Sequence, residues 1–237
     1  RRPRLANVTY QAELGSYAEK VRRMHVLAAE LCMTLETAGK LAPEAKAWVL
    51  DAIELCKCDL TTQMVQEFPE LQGVVGGLYA RAQGEAGEVA DAIYDQYLPV
   101  GIDDRCPGSV VGAVVSLADK LDSIVAGFAV GHGPTGSSDP FALRRQGNGI
   151  IKALVELSLP ITLKPAIELG LNSLNIEWRK PRLEAFVALL EFLGERLRYY
   201  LETVRKLRYD TVRAVMAAGW YNPLDAWRRA EALESLR

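Results

Sequence analysis

The feature that most constrains this chain is the run from Ser109 to Val130. Val110, Val111, Val114, Val115, Leu117, Ala118, Leu121, Ile124, Val125 and Phe128 leave it apolar on most sides. A helix of that kind lies inside a domain, covered by other elements. The fold must therefore wrap further structure around it. It must also supply partners for the charges in Ala118-Asp119-Lys120-Leu121-Asp122, because a buried charge is costly unless it is paired.

The covering elements read as helices. From Ser16 to Thr37 the residues Tyr17, Val21, Met24, Leu27, Ala28, Leu31 and Leu35 recur at helical spacing. Ser16 and Glu19 form a capping-box pattern, and Gly39 suits the helix end. A second helix opens near Pro43 and Glu44 and carries apolar positions through Val65, stopping at Phe68 before Pro69. A short helix opens on Pro69 and Glu70. Its glycines Gly73, Gly76 and Gly77 strip one face for close approach of a neighbour. Another helix covers 87–97, and Pro99, Gly101, Pro107 and Gly108 mark a loop over 98–109. Beyond Leu159 the pattern stays helical, with Leu183, Phe186, Leu189, Leu190, Leu193 and Leu197 forming the stripe of a long helix from Pro181 to about Leu207. Only Ala6-Asn7-Val8-Thr9-Tyr10 reads as strand, and it has no evident partner.

Composition agrees with a packed domain: 237 residues, 49% hydrophobic and 24% charged. The net charge of −2 rules out a polycation, so nucleic-acid contact would need local patches. Cys32, Cys56, Cys58 and Cys106 contain no CxxC pair and read as reduced thiols of a cytosolic protein. The apolar stretch near Ile150 is interrupted by Lys152, Glu156 and Pro160, so nothing there spans a membrane. The opening Arg1-Arg2-Pro3-Arg4 lacks an initiator Met and a signal-peptide pattern, which suggests a piece of a longer protein.

Gly131-His132-Gly133-Pro134-Thr135-Gly136-Ser137-Ser138-Asp139-Pro140 has the glycines of a phosphate loop, but Ser137 stands where a P-loop needs Lys. It reads as a turn in which Asp139 caps the N–H groups of Phe141 and Ala142 and Pro140 takes the first helical position. Arg144 and Arg145 follow, to pair with Asp119 or Asp122 or to reach RNA phosphate; the internal pairing is the expectation. Neither histidine, His25 or His132, falls in a catalytic or metal-binding pattern. Asp59 and Asp119 lie on core-rich helices where they could face each other, but two carboxylates alone hold Mg²⁺ weakly. Arg179-Lys180-Pro181-Arg182 forms a basic cluster. Arginines through Arg213 continue it, diluted by Glu191, Glu195, Glu202 and Asp210.

Several motifs then converge in order and spacing: Lys57-Cys58-Asp59-Leu60-Thr61-Thr62-Gln63-Met64-Val65, Glu67-Phe68-Pro69-Glu70-Leu71-Gln72-Gly73, Tyr97-Leu98-Pro99, Leu117-Ala118-Asp119-Lys120-Leu121-Asp122 and Asp139-Pro140-Phe141-Ala142-Leu143-Arg144-Arg145. Together they resemble the β subunit of bacterial glycyl-tRNA synthetase, closely from Leu14 to Arg145 and more weakly beyond. The resemblance implies an α2β2 cytoplasmic ligase whose α subunit handles glycine, ATP and Mg²⁺. The β subunit would bind tRNA-Gly and support charging.

It also implies an all-α fold, an HD-domain-like helical bundle with additional C-terminal helices. Residues 1–13 would be the remnant of a preceding segment, 14–148 the HD-like domain and 149–237 a helical extension packed on it. In HD phosphohydrolases a His, a consecutive His-Asp and a later Asp hold metal. Here Cys58 and Asp59 would occupy the His-Asp place, Asp119 the later Asp, and Lys20 roughly the first His. Without imidazoles that site is expected to be degenerate, with no catalytic residue, metal or cofactor of its own. Ser138 and Gln96 replace a Lys and a His usual in the family, which removes two groups able to contact RNA. Expected tRNA contacts are Arg144, Arg145, Arg179, Lys180 and Arg182. The alternatives are an active HD-type phosphohydrolase and a scaffold that binds only protein.

Overall fold

The computed structural model describes residues 2–179 and 181–236, so Lys180 lies outside the described residues. The fold is all-α apart from one small ribbon, in line with the helical expectation. Arg2–Asn7 forms a 3-10 helix, and β1 (Thr9–Gln11) pairs antiparallel with β2 (Gly15–Ser16). The strand reading thus needs two corrections. The extended stretch begins at Thr9, not Ala6, and its partner begins four residues after Gln11 in this same chain, reached through a tight turn that closes on Gly15 at φ 80°.

Helix α1 (Tyr17–Thr37) starts with the full capping box, Ser16 and Glu19 satisfying each other's backbone N–H, and ends before Gly39 at φ 65°. The long second helix does not form as one piece. Helix α2 (Ala45–Leu55) gives way to a 3-10 turn over Cys58–Thr61 and then to α3 (Gln63–Glu67). Hydroxyls cause the break. Thr61 Oγ1 donates to Cys58 O, Thr62 Oγ1 donates to Asp59 O, and Thr62 Oγ1 accepts from Val65 N–H as the cap of α3. Side chains that bond nearby backbone offer it an alternative to the helical ladder.

Pro69–Leu71 is a single 3-10 turn, and α4 (Val74–Ala82) begins only after Gly73 at φ 79°. Helix α4 packs on α5 (Gly87–Asp95) through Gly77. A Cβ there would lie 2.7 Å from the carbonyl oxygen of Ala90, so the close approach read from the glycines is present.

Helix α6 (Val110–Ala129), capped by the Ser109 hydroxyl, is the centre of the molecule. Nearly every residue is buried, and α1, α2, α5, α7 (Leu143–Glu156), α8 (Leu163–Ser173) and α9 (Arg182–Tyr199) pack on it. Helix α7 runs unbroken through residue 148. It begins at Leu143, later than its Pro140 reading. Ala142 adopts a left-handed conformation, and Asp139 reaches past it to accept from the N–H groups of Leu143 and Arg144, not Phe141 and Ala142. Helix α9 ends at Tyr199 in a π turn over Tyr200–Val204. Leu183, read as part of its apolar stripe, is 72% exposed, and burial on α9 begins at Ala185. Helices α10 (Tyr209–Ala217) and α11 (Pro223–Ser235) complete the chain.

Candidate functional site

The charges inside α6 are paired, mostly by α1. Lys20 and Arg23 are three residues apart on α1, and so are Asp119 and Asp122 on α6. Residues at that spacing share one helix face, so the two helices meet as a matched pair of charged patches. Lys20 Nζ lies 2.9 Å from Asp119 Oδ1 and 3.0 Å from Asp122 Oδ2, and it donates to Ser123 Oγ at 2.8 Å. Arg23 grips Asp122 with two nitrogens, Nε to Oδ1 at 2.6 Å and Nη2 to Oδ2 at 3.2 Å.

The third cation comes from the break after α2. Lys57, only 1% exposed, donates to Asp119 Oδ2 at 2.7 Å and lies 4.2 Å from the centre of the Tyr97 ring. Asp119 therefore carries an ammonium on each oxygen. The ring of Tyr10 sits 4.5 Å from Lys20 Nζ, so aromatic faces complete both cation shells. Lys120 points another way, donating to Tyr97 O, Leu98 O and Ser116 Oγ at 3.1, 3.0 and 2.7 Å.

These partners set the protonation states. Burial alone would raise the Asp119 carboxyl, but Lys20 and Lys57 hold it well below the usual carboxylate range. Burial would lower Lys20 and Lys57, but Asp119 drives both upward, so they stay charged. Among the described residues Lys120 touches no carboxylate, and burial pushes it down to about 8.

Lys20, Lys57, Lys120 and Asp119 line a cleft of about 530 Å³, with Tyr10, Tyr17, Tyr97 and Phe141 among its aromatic walls and Arg145 and His132 at its edge. Asp59 and Cys58 are not in it. They line a separate, smaller cavity of about 220 Å³ with Gly76 and Ile93. Asp59 Oδ2 accepts from Gly73 N–H at 2.7 Å, while its Oδ1 is buried without a hydrogen-bond partner among the described residues. Burial raises the Asp59 carboxyl, and burial also raises the Cys58 thiol.

The expectation that Asp59 and Asp119 face each other is thus overturned. The residue that reaches Asp119 from this turn is Lys57, because the 3-10 geometry turns Lys57 inward and Cys58 and Asp59 toward α4 and α5. Lys20, by contrast, does stand beside Asp119. A protonated lysine has no lone pair to give a metal, and among the described residues no three His, Cys, Asp or Glu side chains converge to hold one. The donor set around Asp119 does not fit a divalent cation.

The arginines divide. Arg144 does not pair with Asp119 or Asp122, whose ion pairs come from Lys20, Arg23 and Lys57. Its Nη2 donates to Gly136 O at 2.7 Å and its Nη1 to Ser138 O at 3.4 Å, tying down the loop before α7. Arg145 is exposed at the cleft and meets no carboxylate among the described residues. Arg179 pairs with Glu13, which His132 also contacts. Arg182 is exposed and lies 5.8 Å from the Trp178 ring. Sequence reasoning missed the role of Lys57 and of the three tyrosines, and gave Lys120 no partner. The matched spacing of Lys20/Arg23 and Asp119/Asp122 was the signal that could have found part of the cluster.

Comparison with known proteins decides the family. The family model for the glycyl-tRNA synthetase beta subunit matches residues 1–217. The chain belongs to the glycyl-tRNA synthetase beta subunit family. Among its relatives, the glycine–tRNA ligase beta subunit of Acidobacterium capsulatum is 46% identical, aligned over 98% of this chain and 32% of that protein. That of Syntrophotalea carbinolica is 44% identical over 98% of the chain and 33% of the relative, and that of Trichodesmium erythraeum is 40% identical over 99% and 33%. The chain thus spans about a third of the length of the curated beta subunits it matches. Among the described residues, no helix is long and apolar enough to cross a membrane.

Proposed function

We propose that this chain is the helical section of a glycyl-tRNA synthetase β subunit that helps hold tRNA-Gly while the α subunit, in an α2β2 cytoplasmic enzyme, performs aminoacylation with ATP and Mg²⁺. The observation that carries this reading is the match to beta subunits along nearly the whole chain. The section itself contributes no acid, base or nucleophile to the reaction. Its most polar buried site is an ion-paired cluster of Lys20, Arg23 and Lys57 with Asp119 and Asp122, and burial pushes Cys56 and Cys106 up to about 12 and Cys32 up to about 11, where the thiolate is scarce.

RNA contact on this reading falls to exposed guanidinium groups with no internal duty. Arg145 qualifies, and Arg182 is exposed with only the Trp178 ring beside it, whereas Arg144 serves its own loop. Substituting Arg145→Ala together with Arg182→Ala in the complete two-subunit enzyme tests it. The expected result is a severalfold weaker affinity for tRNA-Gly and a log affinity–log salt slope shallower by about 1 to 2. Unchanged affinity and slope would show that this face does not meet RNA.

A further inference from the structure

The smaller cavity, of about 220 Å³, has a carboxylate in its wall that no cation there answers. Asp59 lines it beside Leu55, Gly76, Ala80 and Ile93, with Glu85 as a second acid. Asp59 is only 2% exposed. Its Oδ2 accepts from Gly73 N–H at 2.7 Å, and its Oδ1 has no hydrogen-bond partner among the described residues. An ionised carboxylate only accepts, and its two oxygens have room for several donors. The cations nearby are engaged elsewhere. Lys57 is on Asp119, and Arg2, also on the cavity wall, pairs with Glu54. Buried charges are ordinarily paired, so a cation is the missing component.

The remaining walls say what kind of cation. A divalent metal needs several protein ligands gathered around it, and among the described residues no three His, Cys, Asp or Glu side chains gather. Leu55, Ala80 and Ile93 offer hydrocarbon instead, a surface for a carbon stem. The volume lies below the roughly 300 Å³ at which sites for drug-sized ligands begin, so the ligand is small. Gly76 keeps the space beside the carboxylate open: a Cβ there would lie 3.0 Å from Ile93 Cγ2 and 3.1 Å from Asp59 Oδ2. An ammonium group brings three N–H donors and no acceptor, the complement of a carboxylate with an unmet oxygen. We infer that this cavity binds a small primary alkylammonium ion, its N–H groups donating to the Asp59 carboxylate and its carbon stem lying on Leu55, Ala80 and Ile93. The site is separate from the cleft over Asp119 and does not depend on any contact with RNA.

The test is ligand-observed saturation-transfer NMR on the complete β subunit at neutral pH, with n-butylammonium chloride as the probe and butanol as its neutral counterpart. Butylammonium is expected to bind with a low-millimolar Kd, as suits so few atoms, and at least about fivefold more tightly than butanol, because its hydrogen bonds to the carboxylate are charge-assisted. Asp59→Asn keeps the side chain's shape and an oxygen for the Gly73 N–H. It is expected to abolish the preference for the ammonium while the unfolding midpoint stays close to that of the parent. Gly76→Ala, which sets a methyl group against Ile93 and the carboxylate, should weaken butylammonium and butanol alike. Potassium chloride at matched ionic strength is expected not to displace the probe. No butylammonium binding at tens of millimolar, a preference over butanol that survives Asp59→Asn, or full displacement by potassium would each overturn the proposal.

Discussion

Asp119 and Asp59 are both buried aspartates, yet they live in opposite electrostatic worlds. Asp119 has an ammonium on each oxygen and stays ionised far below the usual carboxylate range. Among the described residues Asp59 has the Gly73 N–H, an Oδ1 without a hydrogen bond and no ion pair, and burial raises its carboxyl. Burial is the same kind of penalty in both cases. What differs is whether the neighbouring elements bring a cation to within 3 Å. Asp119 is thereby a structural hinge-pin between α1, α6 and the turn after α2, while Asp59 is a tolerated cost.

That contrast can be broken in several ways. The largest expected effect is from Asp119→Asn, which strands Lys57 in the interior and leaves Lys20 with Asp122 alone. Loss of one partner from a buried pair costs about 3–5 kcal/mol, and denaturant unfolding of the complete β subunit would read it. Lys57→Met should cost less, about 2 kcal/mol, since Lys20 still neutralises Asp119. Gly77→Ala, which drives a methyl group against the Ala90 carbonyl, should cost about 1–3 kcal/mol by the same measurement. Asp59→Asn is the smallest, within about 1 kcal/mol of the parent. The amide oxygen can still take the Gly73 N–H, and the charge it removes was unpaired.

Acid unfolding sharpens the comparison further. Asp119 has its carboxyl lowered by folding, so the unfolded chain binds more protons below about pH 4. Its stabilisation is complete above the ordinary carboxylate range and is lost as pH falls below it. Asp59 has its carboxyl raised, so it opposes folding once ionised, and its contribution falls as pH rises through the carboxylate range. Asp119→Asn should therefore flatten the acid limb of the stability–pH curve, and Asp59→Asn should steepen it slightly.

Much of the architecture was legible in the sequence because it rests on local chemistry. The capping box of α1, the glycine contact of α4 on α5 and the buried central helix each need only a few neighbouring residues to be recognised. The charge cluster was half legible. Asp119, Lys120 and Asp122 announce a need for partners, and guanidinium–carboxylate pairing, the common way to satisfy buried acids, points to Arg144 and Arg145 for the two aspartates. The actual partners, Lys20, Arg23 and Lys57, lie 62 to 102 residues away. Reading Cys58 and Asp59 as facing Asp119 failed for a one-residue reason. A helix continued through Thr62 presents a different face from the 3-10 turn that the Thr61 and Thr62 hydroxyls impose. Asp139 kept its capping role but three residues' worth of helix start was misplaced, since a left-handed Ala142 has no sequence signature.

Lys57, and neither Cys58 nor Asp59, is what this turn contributes to Asp119. A double-mutant cycle of Lys57→Met with Asp119→Asn, read as unfolding free energy of the complete β subunit, measures it most directly. Residues in contact through an ion pair couple by about 1–3 kcal/mol, and that is the predicted value, with the parallel Lys57→Met and Asp59→Asn cycle staying below about 0.5 kcal/mol. Equal coupling in the two cycles, or a larger one with Asp59, would contradict the account.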